Sequence, residues 1–152
     1  NESLRYVFDD ELWFRYLCRY GIESIGFSEK RFANFRLHGS SKSVGEGFDG
    51  FAREIRSVYM DMAQAADAPE WLLNKMKEED FVPVYRQRGD WDLKYLDKQK
   101  FLAFFAVKYI NSLYLSGKIK EAREAMKLTI DNGYFKWNRM LTSLRVKLAF
   151  GV

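Results

Sequence analysis

The sequence predicts a mainly α-helical (α+β) fold, a multi-helix bundle with a small β element near the N-terminus. Apolar residues make up 47% of the 152 residues and only two residues are proline, so long stretches are free to form helices around a core. From residue 48 onward, apolar side chains recur at helical spacing almost to the end. Residues 31–38 instead alternate between two faces, which is typical of a strand.

Composition excludes several classes of protein. Aromatic residues make up 17% of the chain, which excludes intrinsic disorder. No apolar run reaches the roughly 18 to 20 residues of a membrane span, and no signal peptide is visible at the N-terminus. The net charge of +4 is mild and acids alternate with bases, which argues against a nucleic-acid groove and only weakly favours an anionic ligand or a membrane surface. Cys18, the single cysteine, is expected to be a buried thiol.

The first helix is predicted directly after an acidic cluster. Asp9, Asp10 and Glu11 lead into the helix, and Gly21 is expected to end it. Either Asp9 or Asp10 is expected to be the N-cap. The apolar residues that share one face of this helix are Leu12, Trp13, Tyr16, Leu17 and Tyr20.

Two short strands are predicted after this helix, from Ile22 to Phe27 and from Arg31 to His38. In the second strand Arg36 and His38 share a face, because side chains two residues apart in a strand point the same way. The following GSSKSVGEG, residues 39–47, is predicted to be a polar loop and contributes Ser41.

Five further helical segments are predicted between Phe48 and Phe150. The first carries an apolar stripe from Phe48 to Ala66, and Asp67 with Pro69 begins a shorter second one. The longest lies between Leu93 and Leu115, is apolar on nearly every side in its middle, and is therefore expected to be central. Gly117 and Asn132-Gly133 delimit the next helix, and the last one carries Trp137, Leu141, Leu144 and Leu148.

The residues that could support chemistry have simpler interpretations as well. A carboxylate at a helix N-terminus stays ionised and can act as a general base, but it can equally serve as a cap and complement the helix dipole. Arg36 and His38 together suit a diphosphate, although His38 could also be structural. A zinc site is excluded because His38 has only Cys18 as a soft companion. Asp90-Trp91-Asp92 is predicted to form a turn and cap rather than a metal motif.

Two spaced motifs in this chain resemble the C-terminal half of family 2 glycosyltransferases. The first is Asp9, Glu11-Leu12-Trp13 and Arg15, and the second is Arg36-Leu37-His38 with Ser41 and Ser43. Enzymes of this family have the GT-A fold and transfer a sugar from a nucleotide-sugar donor to an acceptor hydroxyl with inversion. The sequence departs from the family pattern at Phe8, where a second acid is usual, so the choice of base between Asp9 and Asp10 stays open.

The resemblance implies roles for individual residues. The catalytic base is Asp9 or Asp10, the substrate-binding residues are Trp13, Glu11, Arg36 and Ser41, and the metal-binding residue is His38. It also implies that residues 1–46 are the remnant of the catalytic GT-A domain, that residues 47–152 form a helical C-terminal domain, and that the nucleotide-binding half precedes Asn1.

The expected partners also follow from this resemblance. They are a nucleotide-sugar donor and a glycan or lipid-linked acceptor in surface polysaccharide or glycoconjugate synthesis, without nucleic acid. A divalent Mg or Mn ion is expected in the full-length enzyme and no cofactor in these 152 residues, which we expect to be inactive alone. The expected location is the cytoplasm or the inner face of the membrane, with homo-oligomers and peripheral membrane association left open. The alternative hypothesis is a non-catalytic helical protein-interaction module.

Overall fold

A computed structural model describes residues 4–34, 48–78, 90–133 and 139–150. In these ranges the chain forms six α-helices: α1 Phe8–Tyr20, α2 Phe48–Ala65, α3 Glu70–Glu78, α4 Lys98–Leu115, α5 Ile119–Asp131 and α6 Arg139–Phe150. Of the described residues 73% are helical, so the prediction of a mainly helical bundle is confirmed for this part of the chain. Its origin in a GT-A enzyme stays a prediction.

The predicted β element is wrong as far as the described residues reach. Ile22–Ser24 forms a 3₁₀ turn, in which the Ile25 N–H donates to the Ile22 carbonyl at 3.0 Å. Residues 25–34 follow without strand structure. A short strand needs a partner ladder for stability, and the described ranges contain no such strand. Residues 35–38 of the second predicted strand lie outside the described residues.

The first helix begins and ends close to the predicted positions, but its N-cap differs. Val7 occupies the N-cap position without a side-chain hydrogen bond, and the carboxylates lie in the first turn. The prediction that Asp9 or Asp10 caps the helix is therefore wrong, and both complement the positive end of the helix dipole instead. Gly21 ends α1 with a φ of +79°, a backbone conformation that favours glycine.

The chain divides into two compact units, and each has its own buried side chains. The first unit comprises residues 1–67 and 76–96. Its buried side chains include Val7, Cys18, Val58, Met62 and Trp91. Cys18 is buried, which confirms the prediction of a buried cysteine, and this burial raises the pKa of its thiol. Residues 46 and 47, between which a domain boundary was predicted, lie outside the described residues, and the boundary stays a prediction.

The second unit comprises residues 68–75 and 97–152, and its core lies between α4, α5 and α6. The core cluster consists of Val107, Ile110, Leu113, Ala122, Ala125, Met126, Leu141, Leu144 and Leu148. The helix α4 begins at Lys98 rather than near Leu93, because Asp97 caps it by accepting the Lys100 N–H at 3.0 Å. None of the six helices has both the length and the apolar character needed to cross a membrane.

Candidate functional site

The helix α1 exposes its apolar face and buries an acid. Trp13 is 53% exposed and Leu12 and Tyr20 are comparably open, whereas Glu11 is only 2% exposed. An amphipathic helix of a globular protein normally has the opposite arrangement. The buried acid therefore needs a partner inside the fold, and the exposed apolar face invites a ligand or another protein.

A network around Arg15 provides that partner. The Arg15 Nε donates to Glu11 Oε1 at 2.5 Å, and Nη1 donates to Asp90 Oδ1 at 3.2 Å. The guanidinium also lies 4.2 Å from the ring centroid of Trp91, whose Nε1 donates to Asp61 at 2.8 Å. Burial works to lower the pKa of Arg15, but the bond to Glu11 and the charges of Asp90 and Asp61 outweigh it and raise the pKa. The network fastens α1 to the segment around Trp91.

A second acid fixes the chain where it enters α1. Glu54 of α2 is buried, and its carboxylate accepts backbone N–H groups from Arg5 at 3.1 Å, Tyr6 at 2.7 Å and Val7 at 3.1 Å. Hydrogen bonds to a charged acceptor are stronger than neutral ones. The position of the first turn of α1 is thus set from α2.

A groove of about 400 Å³ runs along the exposed face of α1. The described residues that line it are Leu12, Trp13, Tyr16, Ser24, Ile25 and Gly26. Trp13 and Tyr16 meet edge to face with ring centroids 6.1 Å apart, and the Tyr16 hydroxyl lies 3.5 Å from the Ser24 carbonyl oxygen. The groove therefore has one aromatic wall, formed by α1, and one wall formed by the turn that follows it.

Asp9 and Asp10 lie in the first turn of α1 but face different surroundings. Asp9 precedes Trp13 by four residues, so the two side chains share the exposed face. Asp10 is rotated by about 100° from Asp9 around the helix. Burial and the neighbouring charge of Asp9 raise the pKa of Asp10, and the charge of Asp10 adds to burial in raising the pKa of Tyr59. Asp9 accordingly lies one turn before the groove, whereas Asp10 lies one turn before Phe14, whose ring centroid is 5.8 Å from that of Tyr59.

The structure brings some of the predicted site residues together and separates another. Asp9 and Trp13 share the exposed face, whereas the Glu11 carboxylate is buried and bonded to Arg15. Its predicted role in substrate binding stays a prediction, though the carboxylate is not in the groove lining. The remaining predicted site residues, Arg36, His38 and Ser41, lie outside the described residues.

Metal ligands are not clustered in the described ranges. There, no three His, Cys, Asp or Glu side chains come together in an arrangement that could hold an ion. The divalent metal and its proposed ligand His38 stay predictions. Asp92 Oδ1 accepts the Lys94 N–H at 3.3 Å. The predicted turn and cap at Asp90-Trp91-Asp92 lie further along the chain, because the turn is at residues 94–95 and Asp97 is the cap of α4.

The sequence reasoning missed the buried acids Glu54 and Asp61. Both lie on the inward side of α2, among Val58 and Met62. Their spacing of seven residues is two helical turns, so an acid recurring on an apolar stripe was the signal available. Arg15 appeared in the first motif, but nothing in the sequence showed that it would stack on Trp91.

No family model, curated protein or solved structure matches this chain. A functional proposal therefore has to come from the residues of α1 and the groove beside it.

Proposed function

We propose that this chain is the acceptor-side, C-terminal part of an inverting glycosyltransferase, which transfers a sugar from a nucleotide-sugar donor to an acceptor hydroxyl. The observation that carries the proposal is the placement of Asp9 on the same helix face as Trp13, one turn before an aromatic-walled groove. The resemblance of the two motifs to family 2 glycosyltransferases also supports it, and Asp9 and Trp13 belong to the first of those motifs.

The groove fits one end of a carbohydrate acceptor. Its volume of about 400 Å³ lies in the range of small-molecule sites. An aromatic ring has a negative face, and the C–H groups of a sugar ring carry partial positive charge, so the exposed ring of Trp13 is a suitable stacking surface. Tyr16 extends this wall and adds a hydroxyl at its edge.

Asp9 is the proposed general base. The carboxylate takes the proton of the acceptor hydroxyl while that oxygen attacks the anomeric carbon, and the bond to the nucleotide diphosphate breaks with its electron pair leaving on the diphosphate. Asp9 lies in the first turn of α1, at the positive end of the helix dipole. Burial and the charge of Asp9 raise the pKa of Asp10, which favours a base, but Asp10 shares its side of α1 with Phe14 rather than with Trp13. Geometry takes precedence over pKa in this choice.

Other parts of the proposal are carried by the resemblance. Arg36, Ser41 and His38 would contact the donor diphosphate and a divalent Mg or Mn ion, which would neutralise charge on the leaving group. The steps assigned to the described residues are binding of the acceptor by Trp13 and Tyr16 and removal of its proton by Asp9.

The adjacent carboxylates allow a matched test in the full-length enzyme that contains these residues. Asp9→Asn should lower the rate of sugar transfer by about a hundredfold or more, because a general base contributes about 10² to 10⁴. Asp10→Asn, which differs by one position and is equally conservative, should keep the rate within a few fold. Transfer is measured with radiolabelled nucleotide sugar, and thermal melting checks that both variants fold. An Asp9→Asn enzyme with unchanged transfer would refute the role of Asp9.

A second candidate function is a non-catalytic helical interaction module. The exposed Leu12, Trp13 and Tyr20 favour it, because an open apolar helix face can also bind another protein. If the chain is such a module, neither Asp9→Asn nor Asp10→Asn would change the rate of sugar transfer in the test above.

A further inference from the structure

The two compact units carry charge of opposite sign. Residues 68–75 and 97–152 contain 12 Lys and Arg against 5 Asp and Glu, a net charge of +7. Because the whole chain carries +4, the first unit is left with −3. The small net charge of the whole chain is therefore the sum of a strongly basic second unit and an acidic first unit. Such charge asymmetry is typical of chains that bind an anionic surface.

The longest helix of the basic unit exposes a narrow stripe of lysines and apolar side chains. We call Lys100, Phe104, Lys108 and Leu115 the α4 stripe, since their spacing places them on one face of α4. Phe104 is 57% exposed and Leu115 is 74% exposed, and both lysines are exposed as well. The remaining apolar side chains of α4 are mostly buried in the unit.

The charge of this stripe is not balanced by acids on its own helix. The helix α4 contains three lysines and no Asp or Glu. Lys100 forms an ion pair with Asp97 at 3.0 Å, but both side chains are at least half exposed, and such a pair is weak in water.

The helix α6 adds basic and apolar side chains beside α4. It contains three basic residues, no acid, and an exposed Phe150. Lys147 lies with its Nζ 5.8 Å from the ring centroid of Tyr114, the residue before Leu115. The basic character therefore continues past the C-terminal end of the α4 stripe.

We propose that the α4 stripe binds the surface of an anionic lipid bilayer. The lysines bind lipid phosphates and carboxylates, while Phe104 and Leu115 enter the boundary between headgroups and acyl chains. The aliphatic side chain of Leu115 distinguishes this surface from a nucleic-acid site, where exposed apolar groups serve mainly as flat stacking partners for bases. The inference rests on the second unit alone and is independent of the proposed glycosyltransferase activity.

Vesicle sedimentation with the 152-residue chain tests the proposal. The chain should pellet with vesicles of phosphatidylcholine containing phosphatidylglycerol, remain in solution with pure phosphatidylcholine, and bind more weakly as salt rises. Lys108→Glu should weaken binding by about fivefold or more, since each basic residue near an anionic membrane contributes about 1 kcal/mol. Leu115→Ser should weaken it by about tenfold through loss of apolar burial.

Substitutions elsewhere in the same unit are the matched controls. Lys127→Glu changes the charge equally, and Leu128→Ser removes a partly exposed leucine, but both residues lie on α5. If the control variants lose as much vesicle binding as the stripe variants, the assignment of the binding surface to α4 is overturned. Failure to bind anionic vesicles, or binding to a DNA oligonucleotide in preference to them, would overturn the proposal itself. Circular dichroism of every variant confirms that the helices are retained.

Discussion

At the scale of single residues, Glu54 has the clearest structural role in the first unit. Its buried carboxylate accepts three successive backbone N–H groups, from Arg5, Tyr6 and Val7. Glu54→Ala should lower the free energy of unfolding by about 3 kcal/mol, because charged hydrogen bonds are lost and donors in a partly buried segment lose their acceptor. Urea denaturation measures the change.

Glu54→Gln is the matched control for that experiment. The amide oxygen keeps one acceptor for these N–H groups without the charge, so the loss should be about 1 kcal/mol. A glutamine variant as unstable as the alanine variant would show that the charge, rather than the hydrogen bonds, holds the segment.

Residue roles were predictable from the sequence only where they depend on local spacing. The shared face of Asp9 and Trp13 follows from helix geometry, and Cys18 was correctly expected to be buried. The contacts of Arg15 with Trp91 and of Glu54 with Tyr6 join residues far apart in the chain. No local pattern encodes such pairs, so the sequence did not predict that Glu11 is buried and bonded to Arg15.

At the scale of elements, the N-cap of α4 gives a prediction about pH. The backbone N–H and the side chain of Lys100 hydrogen-bond the Asp97 carboxylate and lower its pKa from 3.8. The folded state therefore favours the ionised form, and this stabilisation is present above pH 3.8 and is lost as pH falls through the lower folded pKa. The Asp97→Ala variant should have a lower melting temperature than the wild type at pH 7. The difference between the two melting temperatures should become smaller below pH 3.8.

Asp97→Asn separates capping from charge. Asparagine caps helices well but does not titrate, so its advantage over Asp97→Ala should persist as the pH falls. A gap between wild type and Asp97→Ala that stayed constant down to pH 2 would contradict the role of ionised Asp97.

Helices were predictable as elements because their stability depends on a periodic face and on local end signals. Gly21, Gly117 and Gly133 all have positive φ and follow the ends of helices, as predicted. The predicted strand from Ile22 to Phe27 was wrong because a strand is stable only beside a partner strand, which its own residues do not specify. The predicted N-cap of α1 was wrong because tertiary contacts of the preceding residues determine where the helix begins.

At the scale of the whole molecule, periodicity predicted five helices from Phe48 onward, the number found in the described part of that stretch, but not their grouping. Residues 68–75 belong to the second unit, and residues 76–96 belong to the first. This grouping depends on contacts between residues that are distant in sequence. One example is the hydrogen bond from the Tyr95 N–H to the Cys18 carbonyl at 2.8 Å. Charge was easier to predict, since residues 97–152 carry the whole +7 of the second unit and residues 68–75 add one acid and one base.

The grouping into units predicts which helices a core substitution destabilises. Leu141 is fully buried in the cluster between α4, α5 and α6. Leu141→Ala should destabilise the second unit by about 3 kcal/mol, the middle of the range for leucine truncation in a core. If each unit opens by itself, hydrogen exchange should accelerate by about a hundredfold in the central turns of α4 to α6, with a much smaller change in α1 and α2.

Leu128→Ala serves as the control, because Leu128 is 40% exposed on α5 and its truncation creates no core cavity. Its exchange rates should match those of the wild type to within a few fold in both units. An equal acceleration in all helices of the Leu141→Ala variant would instead show that the two units unfold as one cooperative structure. In that case destabilising either core would also loosen the α1 face that carries Asp9 and Trp13.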